Sequence, residues 1–455
     1  MRSTAAFSFL ATASALFLTA CGDTADRPVS IGIGSNPELP APKKTLFPTV
    51  NVADASGWPA GKKPTAAAGL TVNEFAAGLE HPRWLHVLPN GDVLVAESDS
   101  PGTDKTGGLV KGTIQKLLMG KAGSGKGSAN RISILRDADG DGVAEFKSPL
   151  LTGLYSPFGM AIANGELFVA NADGIVAYPY QPGQTSITAR PRHVTGLPSG
   201  YNHHWTKSMV ASPDGKFLFV GVGSNSNVGE NGMEMEEGRA AIWMIDAKTG
   251  AYRIFASGLR NPVGIAWNPW SRQLWTSVNE RDEIGNNLVP DYMTSVQDGG
   301  FYGWPWSYFG QTVDARLKPP RPDMVAKAVK PDYALGSHTA SLGLAFSGGA
   351  ALGPNYAQGA FVGQHGSWNR KPPAGYKVIF VPFAGAQPSG QPVDVLTGFR
   401  VGDKAYGRPV GVVIARDGSL LVADDVGNKV WRVASATPRP RPTTADEATL
   451  APAAR

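Results

Sequence analysis

One recurring unit constrains this chain more than anything else in it. A Pro or Gly-rich turn opens an apolar run, a tight turn follows in most copies, and a second, continuously apolar run comes next. Gly78-Leu79-Glu80-His81-Pro82 leads to Asn90-Gly91 and then Val93–Glu97. Gly153-Leu154-Tyr155-Ser156-Pro157 leads to Asn164-Gly165 and Leu167–Ala170. Pro213-Asp214-Gly215 precedes Phe217–Gly221, and Gly258-Leu259-Arg260-Asn261-Pro262 precedes Gly264–Trp267 and Leu274–Thr276. A looser copy joins Ser341–Phe346 to Gly359–Gly363, and the last runs from Gly407-Arg408-Pro409 through Asp417-Gly418 to Leu420–Asp424. Asn-Gly and Asp-Gly accept the positive φ that a tight hairpin needs. The second run has no polar alternation, so it reads as a strand buried on both faces. Strand-rich repeats of about 40 residues or more are the signature of a propeller. The expected fold is therefore all-β, a six-bladed β-propeller. A different division of the units gives five or seven blades, and an array of β-sandwiches is the competing architecture.

Composition agrees with short strands and many turns. Charged residues are 17%, below the roughly 25% of an average protein, with 56 Gly and 36 Pro. The formal charge is +5, with no Lys/Arg block and no nucleic-acid motif, so no nucleic-acid partner is expected.

The N-terminus carries an export signal. Met1-Arg2-Ser3 is followed by an apolar run to Ala20 and then Leu18-Thr19-Ala20-Cys21, with the only Cys of the 455 residues at the cleavage point. The run is too short for a membrane span. It reads as a lipoprotein signal, with Cys21 as the lipidated residue and a membrane partner through its acyl chains. The expected division is residues 1–20 signal peptide, 21–65 lipidated tether and linker, 66–435 propeller, and 436–455 a disordered tail. The expected place is the cell envelope, facing the periplasm. A redox enzyme there needs a tightly held cofactor rather than a cytoplasmic nicotinamide.

Two loops deserve a chemical reading. Gly120-x4-Gly125-Lys126 imitates a phosphate loop, but Gly127 stands where Ser or Thr would hold magnesium, and no strand–helix context surrounds it. Asp137, Asp139, Asp141 and Glu145 are spaced to wrap a hard cation, with Gly142 in the sixth position; Ser148 in the twelfth breaks the EF-hand pattern. This is either a structural calcium loop or a solvated hairpin tip.

Polar groups recur near the starts of the repeats: His203-His204, Arg260-Asn261, His338 and Arg408, with Asn279–Glu283, Phe301–Pro305 and His365–Lys371 in the loops. Such positions can converge on a propeller axis.

As a set, residues 203–224, 258–267, 277–291, 299–306, 363–370 and 407–425 resemble the soluble quinoprotein sugar dehydrogenases, within them the L-sorbosone dehydrogenase-like branch. The resemblance spans roughly residues 70–433. It implies a six-bladed propeller that holds pyrroloquinoline quinone (PQQ) and Ca2+. It implies His204 as the general base, and Arg260, Asn261, Arg370, Lys371 and Arg408 as cofactor-binding residues. The choice between Arg370 and Lys371 for the cofactor carboxylates is open. It also implies that backbone carbonyls around Glu280 and Arg281 hold the catalytic calcium. The chemistry suits these residue types. PQQ carries three carboxylates that Arg can bind bidentately, and a His of near-neutral pKa can take a hydroxyl proton. The expected activity is oxidation of a sugar or aldehyde, with electrons passed on to an unidentified electron acceptor. Two rivals stand beside it. One is a calcium-dependent propeller hydrolase with Glu280 and Asp424 as axial ligands; the other is a non-catalytic sugar-binding propeller.

Overall fold

The structure is a computed structural model that describes residues 23–43, 49–101, 120–123, 125, 127–200 and 204–437. Cys21, His203, most of the basic loop after Ser100 and the C-terminal tail lie outside the described residues.

Among the described residues, six antiparallel sheets of four or more strands carry most of the chain, beside a three-stranded and a two-stranded one. The first pairs Pro82–Val87, Val93–Glu97, Arg131–Arg136 and Phe146–Leu151 in order. The second pairs Met160–Ala163, Glu166–Ala170, Gly174–Pro179 and Arg192–Gly196. The third pairs Met209–Ala211, Phe217–Val222, Ala241–Asp246 and Tyr252–Ser257. The fourth begins with Pro262–Trp267, Leu274–Val278, Pro290–Ser295 and Tyr333–Ser337. The fifth begins with Ser341–Phe346, Gly359–Gln364, Lys377–Ala384 and Val393–Thr397. The sixth takes Pro409–Ile414, Leu420–Asp424 and Lys429–Ser435 from the C-terminal side, and its outer strand, Leu70–Ala77, from the N-terminal side. Seven residue pairs join that outer strand to its neighbour, from Lys429 with Ala77 to Ser435 with Leu70. The two ends of the domain are thus bound into one sheet.

Each sheet's leading strand lies against the leading strand of the next, and the sixth lies against the first. Small residues permit this. A Cβ on Gly343 would stand 2.2 Å from the Val410 carbonyl oxygen, and one on Gly264 would stand 2.5 Å from that of Leu342. Beneath the strand starts, Trp84, Phe158, Trp205, Val263, Leu342 and Val410 meet in one buried cluster, one residue from the start of each sheet. The architecture is all-β and of β-propeller type. The turn residues behave as their sequence requires: Asn164 and Gly165 both have positive φ, at 51° and 75°.

The stretch expected as tether and linker, 21–65, is held against the sheets over its described residues. Ile33–Gly34 adds to the edge of the fourth sheet beside Tyr333–Ser337, Asp54–Ala55 runs parallel to Lys404–Ala405, and Thr65–Ala66 pairs with Val393–Thr397. A Pro-rich composition leaves few N–H donors, yet these short pairings and side-chain bonds suffice to fix it. No helix among the described residues is long and apolar enough to cross a membrane.

Candidate active site at the strand starts

In an antiparallel sheet the start of the leading strand and the end of the second strand lie at the same end. That end gathers His81, Arg83, His204, Arg260, Asn261, His338 and Arg408 from the strand starts. It also gathers residues 279–287, 365–376 and Asp425 from the loops that leave the second strands. Polar groups therefore stand directly above the apolar cluster of Trp84, Trp205 and their neighbours.

Arg408 is the most informative of them. It is buried, its Nε and Nη2 have no hydrogen-bond partner, and its guanidinium lies 5.0 Å from the centre of the Tyr376 ring. Its backbone N–H donates to Asp424 at 2.8 Å. Nearby, Arg83 Nη1 donates to Asp425 Oδ2 at 2.5 Å, and its guanidinium rests over Phe158 and Trp205 at 6.0 and 5.8 Å. Arg83 Nε and Asp425 Oδ1 are also buried without a partner. His365 Nε2 lies 2.9 Å from the same Asp425 Oδ2. A carboxylate oxygen accepts, so this nitrogen carries the hydrogen and Nδ1 carries the lone pair. Burial pushes the His365 imidazole down to about 4, so the ring is neutral at pH 7. Burial works to raise the Asp425 carboxyl, but His365, His81 and Arg83 outweigh it and hold the group ionised, well below the usual carboxylate range. Sequence reading missed Arg83, Asp425 and Tyr376. Arg83 stands one residue after Pro82 whereas Arg408 stands one before Pro409, so its place in the repeat does not mark it. Tyr376 carries no signal either.

His204 Nδ1 lies 2.9 Å from the Ser224 carbonyl oxygen and 3.1 Å from its hydroxyl. A carbonyl can only accept, so Nδ1 is the N–H nitrogen and Nε2 holds the basic lone pair. Asn261 stands beside it with a buried Oδ1 that has no partner. Gly223 separates the two, since a Cβ there would fall 2.4 Å from Asn261 Oδ1 and 2.5 Å from His204 Cβ.

Arg260 is placed differently from the expectation of direct cofactor contact. Its Nε reaches the Asn227 carbonyl, Nη1 the Asn279 and Glu280 carbonyls at 3.3 and 2.6 Å, and Nη2 the Asn227 Oδ1 and Asp282 Oδ2. All five N–H donors are used within the protein, so Arg260 shapes the loop. The Glu280 carbonyl, expected near the calcium, accepts from the Arg260 guanidinium at 2.6 Å and keeps one lone pair. The Glu280 carboxylate pairs with Arg281 at 2.9 Å, and Arg281 also donates to the Pro305 and Ser307 carbonyls. Asp424 accepts from the Trp58 and Trp431 indoles and two backbone N–H groups. Glu280 and Asp424 thus accept from separate partners, Glu280 through Oε2 alone, its buried Oε1 having no partner.

Asp282 ties the fourth and fifth sheets together at this end. Its Oδ1 lies 3.3 Å from His338 Nδ1 and accepts from Asn369 Nδ2 at 2.6 Å. Burial works to raise its pKa, but the His338 bond and the Arg260 charge hold it at about 2. Arg370 departs from the cofactor expectation. Its Nε donates to the Asn286 carbonyl, Nη1 to Pro372 and Nη2 to Arg27, so the guanidinium clamps the N-terminal strap. Lys371 is exposed, with its backbone N–H bonded to Asn286 Oδ1. Far from this end, Asp137, Asp139, Asp141 and Glu145 do converge, each offering an oxygen within 4.8 Å of the others. Backbone N–H groups of the loop already bond these carboxylates, for example Gly140 to Asp137.

A family model described as TrAA12-like matches residues 124–296 and 323–436, more than half of the chain. The chain belongs to the TrAA12-like family. It is a relative of the soluble PQQ-dependent sugar dehydrogenases. It is 29% identical over 332 residues to a pyrroloquinoline quinone-dependent pyranose dehydrogenase of Coprinopsis cinerea, covering 59% of this chain and 44% of that protein. The chain spans about half the length of the curated relatives it matches. The holo form of the pyranose dehydrogenase PQQ domain from Coprinopsis cinerea superposes with a TM-score of 0.65 at 22% identity, covering 84% of this chain and 100% of that one. A calcium structure of the Trichoderma reesei carbohydrate-active enzyme family AA12 gives 0.67 at 18%, covering 82% and 97%. These likenesses show a common fold.

Proposed function

We propose that this member of the TrAA12-like family is a PQQ-dependent dehydrogenase that oxidises an aldose or a sugar-derived aldehyde. The observation that carries the reading is Arg408, a buried cation with two nitrogens lacking acceptors. Buried donors without partners are rare in native proteins, and a cation so placed suits a carboxylate or a quinone oxygen. Arg83 through Nε and Asn261 through its amide would complete the cradle. PQQ, when bound there, supplies a two-electron acceptor. The residues of the chain do the rest. His204, oriented by Ser224, takes the hydroxyl proton of the cyclic aldose or of the hydrated aldehyde at Nε2. The Trp84, Phe158 and Trp205 cluster closes the floor against water. A second reading gives the base role to His365, because Asp425 orients it and burial keeps it neutral. Calcium enters through the family resemblance and the Trichoderma reesei relative.

In the same reading, the six sheets are six blades of one ring, supported by the contacts between leading strands and the shared apolar cluster. The enzyme is anchored through Cys21 on the periplasmic side, supported by the signal sequence, and passes electrons to a separate acceptor. The test is PQQ titration into the metal-stripped protein with and without calcium, then dye reduction across a panel of aldoses and aldehydes. Saturable PQQ uptake with sugar-dependent turnover supports the reading; absent uptake sinks it. His204→Ala and His365→Ala, assayed side by side, assign the base by which one loses kcat while still binding PQQ.

A further inference from the structure

We propose that the strand-start end, with the site in it, is the face turned toward a lipid bilayer. The inference rests on the lipid-anchor reading of Cys21. Asp23 follows Cys21 by two residues, and two residues of chain reach at most about 7 Å. Asp23 is fixed at the strand-start end. Its carbonyl accepts from Asn286 Nδ2 and from Thr49 Oγ1, each at 2.9 Å. Its carboxylate pairs with Lys43, whose own N–H bonds the Ile284 carbonyl. Two residues further on, the Ala25 N–H bonds the Lys371 carbonyl. Asp23, Thr49, Asn286, His338, Trp368 and Asn369 line one shallow pocket beside Asp282 and Arg260. An acyl chain on Cys21 therefore has almost no slack and must enter the membrane next to the site.

Exposed apolar side chains occur at both ends, with Phe146, Tyr252 and Trp270 at the one opposite the site, so the short tether sets the orientation. Tyr155, Met233 and Trp368 are 38%, 39% and 38% exposed at the site end. Tyr and Trp favour the membrane–water boundary. Trp368 is held in place, since its carbonyl accepts from the Asn51 N–H at 2.7 Å. Arg27, Lys43 and Lys371 are exposed on this face beside Asp26 and Glu283, an excess of one positive charge, so the acyl anchor plus aromatic contact must provide most of the attachment. The opposite end has an internal control. Trp270, in the turn between Pro262–Trp267 and Leu274–Val278, is 36% exposed.

The full chain, produced with its signal in a bacterium, is reconstituted in phosphatidylethanolamine–phosphatidylglycerol vesicles with brominated acyl chains, which quench Trp at short range. Intact mass reports acylation. The expected result is quenching that W368F largely removes and W270F leaves unchanged, with amide exchange slowed at 283–287 and 367–372 but not at 268–273. An acylated, vesicle-bound protein without those two signatures overturns the orientation and leaves the anchor standing. An unmodified Cys21 overturns the anchor and the orientation with it. Neither result bears on PQQ uptake, which is measured separately.

Discussion

The Arg408 guanidinium lies 5.0 Å from the centre of the Tyr376 ring, and no protein acceptor reaches its Nε or Nη2. A buried cation in that state costs stability until an anion arrives. Arg408→Met should therefore raise the stability of the cofactor-free protein by about 1–2 kcal/mol. It should also weaken PQQ binding by roughly tenfold to a hundredfold, the worth of a charge-assisted bond. Calorimetry without cofactor and a PQQ titration read the two effects, which must have opposite signs.

Gly223 sets the spacing of His204 and Asn261. Gly223→Ala would press a methyl between Asn261 Oδ1 and His204 Cβ, both within 2.5 Å of the new atom. The expected outcome is a fall in kcat of at least about tenfold, as a displaced base loses reach, with a far-ultraviolet spectrum like that of the parent. Dye-reduction kinetics on the PQQ-loaded protein check it.

Arg260 holds a loop. Lys offers three donors where five are used, and cannot span the Asn227, Asn279 and Glu280 carbonyls at once. Arg260→Lys should lose about 2–4 kcal/mol in denaturant unfolding. A variant as stable as the parent would contradict the clamp.

His365 links acidity to stability. Its ordinary value is 6.5 and its folded value about 4, lowered by burial. Between those values the unfolded chain binds the proton and the folded chain does not. Its contribution is therefore present above 6.5 and lost as pH falls toward 4. His365→Asn should flatten the decline in stability across that window by on the order of 2 kcal/mol, read from midpoints at several pH values.

The repeat units were legible because turn chemistry and apolar runs are local. Asn164-Gly165 must turn, and Phe217–Val222 or Leu420–Asp424 cannot be left in water. The convergence of His204, Asn261 and Arg408 at one end also follows from where each stands in its repeat. Partner choice does not. Arg260, Arg370 and Arg408 look alike in the chain, yet the first binds carbonyls of its own loop, the second clamps a strap some 340 residues away in sequence, and the third has two nitrogens unpaired. Composition likewise gives 21–65 no apolar period, and only its edge pairings with strands near 335, 396 and 405 reveal where it lies.

By itself, then, the sequence determined the all-β repeat and the residue types of the site, since each depends on a few consecutive residues. The tertiary structure decided which cations are free for a ligand, joined Asp425 to Arg83 and His365, and brought Asp23 to the site's rim. Those outcomes depend on which distant carbonyls and carboxylates come within about 3 Å of a given donor, and only the packed sheets bring them there.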